Sequence, residues 1–166
     1  MSAFRRTVAV RLTPDTIGEV MSPEQLFSTA NVVAALSWLL LAILPRHRWV
    51  TGIVTGKVVP ALFAILYVGL IVTTFGRVEG GFSTLAGVAA LFTSRWLLLA
   101  GWVHYLAFDL LIGTWEVRDA QERRIPHALV LPCLFVTFMF GPAGWLLYMA
   151  LRMAVVSRRV AAPAAV

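Results

Sequence analysis

The chain has 166 residues, 60% hydrophobic and only 13% charged, about half the charged fraction of a soluble domain. Its apolar residues are gathered into long runs rather than alternating, which excludes an ordinary soluble domain and indicates an all-α integral membrane protein. The net charge of +6 is no sign of nucleic acid. Apart from Asp109 and Glu116, the charged residues lie between or at the edges of the apolar runs, where Arg and Lys anchor helices at headgroups.

Residues 1–20 read as a flexible basic extension, with Arg5, Arg6 and Arg11 set among Val, Ala and Leu ahead of Pro14-Asp15. The membrane domain is expected over 21–152, followed by a C-terminal tail at 153–166. Four spans of about 20 residues can be cut out of it. The first is Leu26–Leu44, stopped by Pro45 and Arg46-His47-Arg48. It is too long for a cleaved signal peptide and has no small-residue cleavage site after it. The second is Val58–Phe75, opened by Lys57 and closed by Gly76-Arg77. Between spans two and three, Phe82–Phe92 is apolar, uncharged and too short to cross. It reads as an interfacial or re-entrant helix, either a lid over a lipid-side entrance or a segment packed on the bundle. The third span is Trp96–Trp115 and the fourth Ala128–Leu151. Trp38, Trp49, Trp96, Trp115 and Tyr148 fall mostly near span ends, as interfacial aromatics do.

Short loops predict an up-down-up-down bundle of four transmembrane helices. Both termini then share a side. That side carries Arg5, Arg6, Arg11, Arg77, Arg95, Arg152, Arg158 and Arg159. The other carries Arg46, Arg48, Lys57, Arg118, Arg123 and Arg124. The balance slightly favours termini inside.

The third span holds the groups that are costly at membrane depth. Arg95, Trp102, Asp109 and Glu116 are seven residues apart and share one helical face, with Tyr105 beside them. His104, Phe108 and Trp115 run down a face roughly 140° away. With polar groups on both faces, this span is expected at the centre of the bundle. Asp109 is its deepest acid, suited to general acid work, with His104 as a base or relay. Asp109 is equally open to a hydrogen bond with Asn31, Thr137 or a broken-helix carbonyl. Glu116 is expected at the water boundary beside Arg118 and Asp119. The fourth span contains Pro132 and Gly141-Pro142-Ala143-Gly144, and each proline frees the carbonyl four residues earlier. A cavity is therefore expected between spans three and four, with Asp109 level with Cys133–Thr137. Asn31, Trp102, Tyr105, Phe108, Trp115, His127, Thr137 and Met139 are the binding candidates. The lone Cys133 reads as a packing residue, and the three histidines lack the spacing of a metal or haem set. No cofactor or metal is implied.

Three motifs have a family resemblance. They are Met21-Ser-Pro-Glu-Gln-Leu-Phe-Ser-Thr-Ala-Asn31 through Leu44-Pro-Arg46, Gly101-Trp-Val-His-Tyr-Leu-Ala-Phe-Asp109 with Gly113 and Trp115, and Arg124-Ile-Pro-His127 through Gly141-Pro142. Together they resemble the abscisic-acid-deficient-four-like membrane family over about residues 21–152. Plant members are tied to neoxanthin formation from violaxanthin, an epoxide opening that forms an allene without net redox change. The resemblance implies an enzyme of isomerase type acting on a carotenoid or other isoprenoid lipid, with Asp109 as acid, His104 as base and Glu116 as a further catalytic candidate. The Ala/Arg/Val-rich composition points to the cytoplasmic membrane of a bacterium, and residues 1–20 precede the family's usual start near Met21. Two alternatives stand beside this: a small proton-coupled transporter using Asp109 or Glu116, expected as a homodimer, and a non-catalytic pigment- or lipid-binding accessory protein.

Overall fold

A capping box opens the first helix. The Ser22 hydroxyl accepts from the Gln25 amide at 3.2 Å, the Gln25 side chain accepts from the Ser22 amide at 2.9 Å, and Pro23 fills the first turn. The N–H groups that a helix start leaves unpaired are thereby met. The structure, a computed structural model, describes residues 21–161, so the expected basic extension at 1–20 lies outside the described residues. Helix α1 spans Pro23–Ile43 and buries Ala30, Ala34, Ser37, Trp38 and Leu41, one stripe at helical spacing.

Helix α2 spans Val50–Thr74, starting well before the expected boundary at Val58. Its first part, Val50–Val58, is wound as a π-helix. The Val59 amide bonds the Val54 carbonyl, and the Thr55 hydroxyl bonds the Val50 carbonyl at 3.0 Å. This wider winding sits directly ahead of Pro60, whose missing N–H interrupts an α-ladder. Lys57 does not open the helix; it is an exposed residue within it.

Helix α3 is the short Leu85–Leu91, capped by the Thr84 hydroxyl, which accepts from the Gly87 amide at 3.0 Å. It lies where α2 stops and the next helix begins. Phe82 stacks on Phe75 with ring centres 5.5 Å apart, and the Phe92 ring lies against Gly101. Helix α4 spans Arg95–Glu122. In its most apolar stretch 56% of residues are buried, against 28% in α1 and in α2, so α4 is the central helix, as its two polar faces predict.

The expected fourth span at 128–151 is not one helix. α5 spans His127–Phe140 and α6 spans Pro142–Ala161, with Gly141 between them at φ 50°. The helix runs unbroken through Pro132, which faces outward, and breaks at Gly141-Pro142. The break is a reversal. A Cβ added to Gly144 would strike the Thr137 backbone, whereas residues seven apart on a straight helix are separated by about 10.5 Å. α5 starts beside the end of α1, where the His127 ring meets the Ala42 carbonyl at 2.9 Å. The Gly141 tip lies beside Asp109, midway along α4. α6 then returns, so that Tyr148 and Arg152 both reach Asp119. At 14 residues, α5 is about 21 Å long, short of the roughly 30 Å hydrocarbon core.

This corrects the expected topology. Three helices, α1, α2 and α4, are long and apolar enough to cross a membrane, rather than four. The α5–α6 pair is a hairpin that turns midway along α4 and returns to the end at which it began. The start of α1 and the end of α6 therefore lie at opposite ends of the bundle, not on a shared side. Residues 153–161, expected as tail, continue α6. Among residues 21–157, Arg77 and Arg95 sit at the α1-start end. Arg46, Arg48, Lys57, Arg118, Arg123, Arg124 and Arg152 sit at the other. Trp38 and Tyr148, read as interfacial, are buried. Trp38 packs on Gly113 of α4 and against Phe138, with ring centres 5.5 Å apart.

Candidate functional site

The hairpin covers the inner half of the seven-spaced face of α4, where Asp109 and Glu116 lie. Glu116 is completely buried and Asp109 is 9% exposed. The Thr137 hydroxyl donates to Glu116 Oε1 at 2.9 Å. Glu116 is thus not at the water boundary with Arg118 and Asp119. Its depth is set by α5, which lays Thr137 over it. Asp109 Oδ2 and Glu116 Oε2 are enclosed without a hydrogen-bond partner among the described residues. Enclosing such oxygens unpaired is expensive, so the fold keeps them against a cost.

Asp109 meets the hairpin tip rather than Cys133–Thr137. A Cβ placed on Gly141 would lie 2.9 Å from Asp109 Oδ1 and 3.2 Å from Oδ2. The glycine backbone occupies the space in which a cavity was expected. Pro142 has no N–H for the Phe138 carbonyl. That carbonyl instead accepts from the Tyr105 hydroxyl at 3.0 Å, and the same hydroxyl also faces the Asp109 carboxyl. Tyr105, Asp109, Glu116 and Thr137 therefore form one cluster under the break.

The other expected site residues lie elsewhere. His104 is exposed on the opposite side of α4, between Tyr67 at 5.5 Å and Phe108 at 4.6 Å. It lines a groove of about 190 Å³ between α2, α3 and α4, walled by Tyr67, Phe75, Phe82 and Phe92. His104 and Asp109 do not share a site. The Asn31 amide oxygen does not reach Asp109; it accepts from Trp102 Nε1 at 2.8 Å. Trp102 borders a second apolar groove of about 410 Å³ between α1 and α4, at whose rim Glu24 and Arg95 pair at 2.6 Å. Trp115 lies edge-on to Tyr148 at 5.6 Å. Phe108 and Met139 are exposed, and His127 sits at the base of the hairpin.

One cluster escaped sequence reasoning. Asp119 accepts from the buried Tyr148 hydroxyl at 2.7 Å and pairs with Arg123 at 2.9 Å and Arg152 at 3.1 Å. It fastens α6 to α4. The (i, i+4) spacing of Asp119 and Arg123 was a readable signal. The α6 partners could be found only from the fold.

A protein-family model described as ABA DEFICIENT 4-like matches residues 25–148. The match takes in α1 to α5 and the first part of α6, and the chain belongs to that family. No curated protein and no solved structure matches it.

Proposed function

From this membership we propose that the protein is a membrane-embedded enzyme of isomerase type, acting on a carotenoid or related isoprenoid lipid in the cytoplasmic membrane of a bacterium. The observation that carries the reading is the groove beside His104. It is aromatic, it lies between two membrane-length helices and the short α3, and it is lined by the His104 imidazole and the Tyr67 ring. Aromatic faces suit a flat polyene, and an imidazole is suited to moving a proton near neutral pH. At about 190 Å³ the groove is smaller than the roughly 300–1,000 Å³ of a pocket that engulfs a small ligand. It suits one end of a long lipid whose remainder lies in the bilayer.

In this reading His104 moves the proton, and Phe82 and Phe92, flanking α3, cover the bound end. Asp109 and Glu116 hold the hairpin instead of touching the same substrate. The test is expression of wild type and His104→Ala in a carotenoid-producing host. Loss of a proton-transfer group should lower product formation about 100-fold or more. A pigment profile shifted equally by both proteins refutes the assignment. Pigment that co-purifies with the protein without conversion supports an accessory binder.

A second reading rests on a different observation. Asp109 and Glu116 each keep an enclosed oxygen unpartnered, and an acid kept at membrane depth is suited to carrying a proton in a transporter. Proton-coupled uptake in liposomes, lost in Asp109→Asn and kept in His104→Ala, selects that reading.

A further inference from the structure

A cavity of about 480 Å³ lies at the hairpin base, between the α1–α2 turn and the α4–α5 turn. Two guanidinium residues, Arg46 and Arg124, line it, with His127 and Gln121. No acidic residue is among those lining it. Its floor is apolar, formed by Val117, Ala120 and Ile125. The walls are held by two cross-links between elements. The Gln121 side chain donates to the Pro45 carbonyl, and the His127 ring meets the Ala42 carbonyl. These bonds use the polar groups that would otherwise fill the space. α5 begins at His127, so the positive end of its dipole faces the same cavity.

We propose that this cavity binds a phosphate group carried by an anionic membrane lipid. A basic recess with an apolar floor at the water boundary fits a phosphodiester headgroup above an acyl chain, and basic pockets between membrane helices take such headgroups. Arg46 supplies charge and paired donors suited to phosphate oxygens, and Arg124 adds a second positive charge to the lining. The site is separate from the His104 groove and does not depend on the reaction assigned there. An occupant would join the α1–α2 turn to the hairpin base and so brace the hairpin against α4.

The test uses the full chain in mild detergent. Phosphatidylglycerol, phosphatidylcholine and inorganic phosphate are titrated separately, with bound lipid counted by native mass spectrometry and thermal stability followed in parallel. Phosphatidylglycerol should be retained in preference to phosphatidylcholine and should raise the melting temperature. Each of Arg46→Gln and Arg124→Gln should weaken its binding about fivefold, while Arg48→Gln, outside the cavity, should leave it unchanged. Arg46→Gln alone is sufficient if Arg124→Gln does not fold. Competition by inorganic phosphate identifies a free phosphate species as an alternative source of the same chemistry. Equal retention of both lipids without such competition overturns the proposal. So does a loss in Arg48→Gln as large as that in Arg46→Gln.

Discussion

The backbone of Gly141 rests against the carboxyl of Asp109, so closely that a Cβ there would lie 2.9 Å from Oδ1. One contact thus joins the middle of the central helix to the tip of a hairpin that enters and leaves at the same end.

Gly141→Ala should destabilise the protein by about 1–3 kcal/mol, because the residue is held at φ 50° and the methyl meets the carboxyl. In an Asp109→Ala background the clash is gone and only the backbone strain remains. The double-mutant cycle in detergent unfolding should therefore show a coupling of about 0.5–3 kcal/mol. Strictly additive effects would mean that the tip does not touch Asp109.

Thr137→Val removes the only hydrogen bond described for the Glu116 side chain while keeping the shape. Leaving that carboxyl wholly unpaired should cost about 1–3 kcal/mol. Glu116→Leu in the Thr137→Val background should recover part of the loss, measured as melting temperature in detergent.

Tyr148→Phe should cost about 1.5–3 kcal/mol, since the lost bond is to a charged partner. Arg152→Met should weaken the same fastening of α6. Both should expose the hairpin to limited proteolysis before α1 or α2 is cut. Cleavage that begins elsewhere would assign the Asp119 cluster another role.

Sidedness follows from the basic residues. With two on one end and seven on the other among residues 21–157, the positive-inside rule predicts that the α1–α2 turn and the hairpin base face the cytoplasm. In a Cys133→Ala background, Gly81→Cys should react with an impermeant maleimide in intact cells and Arg48→Cys only after lysis. The reverse pattern would invert the orientation.

The membrane helices and the centrality of α4 were legible because each is written in a local pattern. Apolar runs mark α1, α2 and α4. The spacing of Asp109 and His104 puts them on different faces of any helix. The reversal at Gly141 was not legible, because Gly-Pro within an apolar run is the same signal for a kink and for a turn. Glu116 was misjudged for a related reason. Its distance from the end of the apolar run suggests water, but its burial comes from Thr137, 21 residues later. The start of α2 was missed because Lys57 looks like a boundary, although a helix surface tolerates one long cation whose amine reaches the headgroups.

The hairpin also has a consequence for biosynthesis. α5 is too short to be retained as a spanning segment by its own length, and it leaves the ribosome after α4. Until it folds back, Asp109 and Glu116 have no cover. The newly inserted three-helix chain is therefore an intermediate with two acids facing lipid or water, and seating of Gly141 is the step that completes it. A chain released before residue 141 should be a substrate for membrane quality control, however well its three long helices have inserted.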